Sequence, residues 1–277
     1  MTASLERFAE LVTREQFSLA EACLLIAQDA YAGLDVASGI ARLDAIASTV
    51  RGRLAADAAP EQKVAALNHH LFAELGFKGD VDTYYDPRNS YLNEVLERRT
   101  GIPITLSIVY LEVGRRLGLA LQGVSFPGHF LVRLRLARGT LILDPFTGGE
   151  PCAESELRNR LGRVLPEAEA RRADLERCLE PASPREIVAR VLRNLKGIYL
   201  KGGKLEQALA VMQRMLLVVP ESAEELRDRG LVYAGLECFR PAVADLQNYL
   251  RRRPDAADAT EVHAKVVDLR AASARLQ

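Results

Sequence analysis

GIPITLSIVYLEVGRRLGLALQGVSFPGHFLVRLRLARGTLILD, residues 101–144, decides the fold. It opens on a Gly-Ile-Pro turn. Pro103 suits the first turn of a helix, where its missing N–H has no partner to lose. From about 104 to 117 the residues are apolar nearly all round: Ile104, Leu106, Ile108, Val109, Leu111 and Val113. A helix that is apolar on every side is a buried one, and Gly118 ends it. Three strands follow over 119–126, 129–136 and 140–143, each rich in Val, Leu and Ile. Arg133 and Arg135 alternate with Val132, Leu134 and Leu136, the pattern of a half-exposed antiparallel strand. Ala137-Arg138-Gly139 is a hairpin connection containing glycine. The stretch therefore predicts an α+β core, helices plus a small antiparallel sheet. His129 opens one strand and Asp144 ends the next.

Bulk properties bound the function. A chain of 277 residues, 48% apolar and 27% charged, is an ordinary globular composition with room for one large domain or two modest ones. Lys+Arg and Asp+Glu balance at 37 each, so no field gathers polyanions or holds the chain on anionic lipid. Neither a nucleic acid nor a membrane is expected as a partner. Glu6, Glu10, Arg14 and Glu15 interrupt the first apolar residues, which is not a signal peptide. No stretch approaches 18 uncharged apolar residues. The four cysteines (Cys23, Cys152, Cys178, Cys238) show no CxxC and no metal spacing. They read as free thiols of a reducing, bacterial-type cytoplasm, with no metal and no cofactor.

Upstream of the deciding segment, residues 4–57 read as helical. Ser18 caps the second helix with Glu21 three residues on, and the third starts after Val36. A further helix over 60–75 begins at Pro60 and ends at Gly76. Residues 78–89 are a polar loop, and Asn89 or Ser90 would cap a short helix over 91–99. Downstream, a charged helical stretch over 154–179 precedes Pro181-Ala-Ser-Pro184, which marks a boundary. The expected domains are 1–180, divided into a helical N-terminal region (1–77) and a core (78–150), and 184–277.

The C-terminal third repeats. Tyr199 and Tyr233, Ala208 and Ala242, Leu216 and Leu250, and Pro220 and Pro254 are each 34 residues apart. Thirty-four is the tetratricopeptide period, with an aromatic in the first helix, a small residue where the second helix approaches closely, and a proline after it. The units are 194–220 and 228–254, with a capping helix over 260–276. This is an all-α domain, and stacked helix pairs present a surface for peptides.

The strings YDPRNSYLN (85–93), VLERRTGIPI (95–104), GVSFPGHF (123–130) and DPF (144–146) resemble the bacterial transglutaminase-like family usually called SirB-one. The resemblance covers nearly the whole chain. It implies a transglutaminase/papain-like core followed by a tetratricopeptide-like tail, with no assigned activity. Transglutaminase-like enzymes open a helix with Gly-x-Cys and place a Gly about fifteen residues after the Cys. Gly101 and Gly118 fit that frame, which puts the cysteine slot on Pro103. A helix N-terminus would activate a thiol there, and proline has nothing to ionise. The same resemblance makes His129 the base and Asp144 the group that orients it.

The residues leave two readings open. Either the His129–Asp144 pair is a remnant that fastens adjacent strands, or it activates water without a thiol. Thr105 and Ser107 are the hydroxyls near the empty slot. Thr105 lies about 200° round the helix from Pro103, so bonding to a backbone carbonyl suits it better than attack. Asn89, Ser90, Asn93 and Thr105 are candidates to line the cleft, although Asn-Ser before an apolar helix also reads as a cap. His69 and His70 are adjacent and do not share a helix face, so they do not make a two-point metal site. The leading expectation is a non-catalytic protein that binds a peptide or protein partner, with a regulatory role left open. The alternative is a thiol-independent hydrolase or amidase using His129 and Asp144. The sequence sets no oligomeric state.

Overall fold

A computed structural model describes residues 3–137 and 139–275. In chain order the elements are α1 (Ala3–Val12), α2 (Leu19–Ala27), α3 (Val36–Arg51), α4 (Pro60–Asn68), β1 (Lys78–Gly79), α5 (Leu92–Arg98), β2 (Thr100–Gly101), α6 (Pro103–Arg116), β3 (Leu121–Val124), β4 (Leu131–Leu136), β5 (Gly139–Asp144), β6 (Glu150–Pro151), α7 (Glu154–Val164), α8 (Glu167–Arg172), α9 (Leu175–Cys178), α10 (Pro184–Lys201), α11 (Leu205–Val218), α12 (Ala223–Gly235), α13 (Phe239–Arg252) and α14 (Ala259–Arg275). Two compact units result: Arg14–Val191, and Met1–Thr13 with Leu192–Gln277.

The division departs from the expected 1–180 and 184–277 in two ways. Ser183-Pro184 does not break the chain but starts α10. The Glu186 amide donates to Ser183 Oγ at 3.3 Å and the Ser183 amide donates to Glu186 Oε2 at 2.6 Å. That is a reciprocal capping box with proline in the first turn. The helix covers Pro184–Lys201. At the other end, α1 belongs with the C-terminal helices and not with the helices that follow it in sequence.

In the unit Arg14–Val191, α6 is the central helix. Every residue from Pro103 to Gly114 is buried, as its all-round apolar sequence requires. The one charge in that run, Glu112, is only 4% exposed. Burial alone would raise its pKa, but the Ala20 amide (3.1 Å), Arg116 (2.6 Å) and Arg115 (3.1 Å) hold it below its ordinary value. Helices α2, α3, α4 and α5 pack around α6. Ser18 caps α2 by accepting from the Glu21 amide at 3.2 Å. The expected helix over 60–75 is α4 followed by a wider π-helical turn, His69–Glu74. In that turn His70 and His69 both reach Glu74, at 2.6 and 3.2 Å.

The sheet is antiparallel in the order β3-β4-β5-β6. Its register pairs Leu121 with Leu134 and Val132 with Leu143. The first two strands start later than the sequence pattern predicts, and Arg138 of the hairpin lies outside the described residues. Val124, Leu131 and Ile142 bury against Leu157 and Leu161 of α7. The charged helical stretch after the sheet is made of three helices, α7, α8 and α9. Residues 78–89 are not wholly loop, because β1 pairs in parallel with β2, Lys78 with Thr100 and Gly79 with Gly101.

The other unit is all helical. Ala208 and Ala242 are fully buried where helices approach, and Tyr199 is 5% exposed. Tyr233 is partly buried against the core that contains Ala242. Pro220 and Pro254 lie in the turns after α11 and α13. Gly230 of α12 lets Leu246 of α13 come close. Arg229 and Asp245 form a two-pronged ion pair across these helices at 2.6 and 2.8 Å. Helix α1 seats Phe8, Leu11 and Val12 inward and packs on α11. The guanidinium of Arg214, itself fully buried, lies 4.9 Å from the Phe8 ring centre and donates to Ser4 Oγ at 2.9 Å. Leu276, the expected end of the last helix, lies outside the described residues.

Candidate functional site

The β4–β5 pairing builds the site. Val132 faces Leu143, so the turn before β4 comes back beside the end of β5. In that turn Gly128 adopts φ +68°, which a side chain disfavours, and the His129 amide donates to Phe126 O at 3.0 Å. His129 Nε2 then lies 3.0 Å from both carboxylate oxygens of Asp144. Asp144 is fully buried. It also accepts from the Phe146 amide at 3.0 Å and pairs with Arg160 Nη2 of α7 at 2.7 Å. Burial pushes its pKa up, but His129 and Arg160 outweigh burial and hold the carboxylate below its ordinary range. Asp144 is thus an anion with its lone pairs occupied. His129 Nδ1 makes no hydrogen bond among the described residues, and the side chain is 16% exposed.

His129 lines a cavity of about 400 Å³. Pro127, Phe146 and Val164 give it an apolar wall, and Asn159, Arg160 and Arg163 of α7 give it a polar one. Val164 packs directly on Gly128, leaving no space for a β-carbon there. A larger cavity of about 610 Å³ in the same unit, beside Leu19, Leu111 and Ile187, does not include the His–Asp pair.

Pro103 is the first residue of α6 and is buried. It lines neither of these cavities. Phe146 stands edge-on to His129, with ring centres 5.8 Å apart at 83°. The same ring covers Gly79, where any side chain would run into it. Gly79 pairs with Gly101, two residues before Pro103. An aromatic ring therefore contacts both the histidine and the strand pair that leads into the empty slot.

The four residues expected to line the cleft do not line the His129 cavity. Asn89 is fully buried. Its amide donates to Asp80 at 2.9 Å and to Thr83 O at 2.8 Å, and its Oδ1 accepts from Arg98 at 3.1 Å. Nor does it cap α5, whose N-cap is Tyr91 with no side-chain bond. Thr105 Oγ1 donates to Asn89 O at 2.7 Å and accepts from the Ile102 amide at 3.1 Å. This fixes the start of α6 and ties the buried hydroxyl to backbone groups. Ser90 and Ser107 are buried with unpartnered hydroxyls. Asn93 borders a separate small cavity with Leu24 and Arg42. Hydrogen bonds beyond the local helix pattern make Asn89 and Thr105 parts of a frame and not of a lining.

Cys152 is close enough to Asp144 and Glu156 to feel their charge. Burial and these carboxylates push its thiol up to about 11, so it is not a thiolate at neutral pH. Cys23 is buried and its thiol is pushed up to about 12. Among the described residues no group of three or more His, Cys, Asp or Glu is arranged to hold a metal ion. No helix there is long and apolar enough to cross a membrane. Arg160, Arg163 and Phe146 were not among the sequence candidates. The Glu156–Arg160 spacing (i, i+4) marked a helix face, but nothing local marked that face as the partner of Asp144.

A transglutaminase-like core with a His–Asp pair, followed by stacked helix pairs, is the architecture of a transglutaminase-like protein with tetratricopeptide repeats. The family model described as the transglutaminase-like superfamily matches residues 37–193. A tetratricopeptide-repeat model matches residues 195–266. A UPF0162 protein of Xylella fastidiosa (strain Temecula1) is 42% identical over 262 residues, covering 93% of this chain and 92% of that protein. A UPF0162 protein of Pseudomonas aeruginosa is 32% identical over 242 residues, covering 87% of each. Protein SirB1 of Salmonella typhimurium is 32% identical over 187 residues, covering 67% of this chain and 68% of that protein. The chain belongs to this UPF0162/SirB1 family of transglutaminase-like proteins. A crystal structure of menin aligns with TM-score 0.40 and 11% identity over 95% of this chain and 73% of menin, a likeness too low to bear on function. Tetratricopeptide repeats commonly mediate protein–protein interaction.

Proposed function

We propose that this protein is a non-catalytic transglutaminase-like protein that works in the cytoplasm by binding a peptide or protein partner. The observation that carries the reading is Pro103, buried at the helix start where the resembled enzymes place their thiol. Three further features support it. Phe146 occupies the approach to His129 from that side. The Cys152 thiol is held protonated. The hydroxyl of Thr105 is committed to backbone bonds. The His129–Asp144–Arg160 cluster then serves as a rigid wall of the cavity and as a fastening between β4, β5 and α7.

A second reading, a thiol-independent hydrolase or amidase, draws on one observation. Asp144 holds Nε2 of His129 and leaves Nδ1 without a partner among the described residues, which is how a general base is oriented. Turnover of a fluorogenic peptide and amide library by the wild-type protein and by His129→Ala separates the two. Silence in both, with the variant only less stable, is the expected result. Turnover abolished in His129→Ala would replace the binding reading with the enzymatic one.

A further inference from the structure

The His129 cavity has a chemical bias. Its polar wall is one face of α7, where Glu156, Asn159, Arg160 and Arg163 recur at helical spacing. Arg160 is spent, bonded to Asp144 and to Glu156 at 2.7 Å each. One guanidinium thus serves two carboxylates, the buried Asp144 and the half-exposed Glu156. Arg163 is exposed, borders the cavity and makes no ion pair among the described residues. Its guanidinium is a planar fork matched to a carboxylate. Beside it stand the Asn159 amide, a neutral hydrogen-bonding group, and His129. The rest of the lining, Pro127, Phe146 and Val164 (the α7 residue next to Arg163), is apolar, and Val164 is 52% exposed. About 400 Å³ holds a side chain or two and not a folded domain.

We infer that this cavity takes a carboxylate-bearing peptide segment: a glutamate or aspartate side chain on Arg163, with a neighbouring apolar residue against Phe146 and Val164. The inference rests on the binding reading proposed above and names its ligand class. The unpaired Arg163 guanidinium selects the acid, and the apolar lining selects its neighbour.

The test is calorimetric titration of the full chain with two probes, acetyl-Phe-Glu-amide and acetyl-Phe-Gln-amide, which differ only in the charge. The expected result is at least tenfold tighter binding of the glutamyl probe. That preference should be lost in Arg163→Met and kept in Arg158→Met, which removes the same charge from another face of α7. Because Arg163 is exposed, its replacement leaves the fold intact, and circular dichroism confirms that. Equal binding of both probes would overturn the carboxylate inference and leave peptide binding standing. A glutamyl preference that survives Arg163→Met would move the acid site elsewhere and overturn the inference as well. No heat from either probe would count against both the inference and the use of this cavity for peptides.

Discussion

The two halves of the expected catalytic centre have gone different ways. At the start of α6 everything is closed: Pro103, Ile104 and Thr105 are buried, and the one hydroxyl is tied to the backbone. At the end of β5 the polar apparatus is complete, with His129, a fully bonded Asp144 and Arg160 beside an open cavity. On the binding reading, packing alone holds the His–Asp pair in place. Once Asp144 is buried and charged, its partners are structurally required whether or not chemistry occurs, because an unpaired buried charge costs far more than the pair returns.

The largest expected effect follows directly. Asp144→Ala strips the partner from His129 and Arg160 together and should cost ~3–5 kcal/mol in urea denaturation. A cost under about 1 kcal/mol would mean that the cluster is not a structural fastening. The contrast between the halves sharpens at Phe146. Gly79→Ala should force the ring out of its place against His129 and lower stability by ~1–3 kcal/mol. Pairing it with Phe146→Leu should recover some of that loss in a double-mutant cycle. Additivity would mean that Phe146 does not contact both sides. In the repeat unit, Ala242→Leu should overpack the α12–α13 contact by ~1–3 kcal/mol while leaving probe binding at the His129 cavity unchanged. No change in stability would refute the repeat assignment.

The smallest effect concerns the frame below the slot. Asp80 accepts from the Thr83 hydroxyl and amide and from Asn89, which lowers its pKa to about 2. A depressed carboxylate contributes stability that is fully present above its unfolded value of about 3.9 and is lost as pH falls toward the folded value. Asp80→Asn should therefore flatten the acid arm of the stability profile between about pH 4 and about pH 2. An unchanged arm would show that the network around Asn89 does not form.

What was legible in the sequence was local. Pro103 at a helix start, the Ser18 cap, the buried run of α6 and the 34-residue spacing of Ala208 and Ala242 each state their structure within a few residues or one repeat. The His129–Asp144 pairing was expected from the family resemblance, and the β4–β5 hairpin is what sets the two residues side by side. What was not legible was distant. Asn89 looked like a cap until Asp80, Thr83 and Arg98 claimed its amide. Arg160 lies on another element and reaches Asp144 only through packing of α7 on the sheet. Helix α1 joins helices nearly 200 residues away with only an ordinary amphipathic pattern to announce it. Ser183-Pro184 read as punctuation because a capping box and a linker share the same residues.

Intact-mass spectrometry after incubation with an activated ester and a glutamine-containing peptide decides whether His129 has a nucleophile to serve. If no nucleophile stands at the His–Asp pair, the wild-type chain and His129→Ala take up the same background label on exposed lysines and on Cys238. An acyl adduct that forms on the wild-type chain and disappears in His129→Ala would contradict the account, and its mapped position would name the nucleophile.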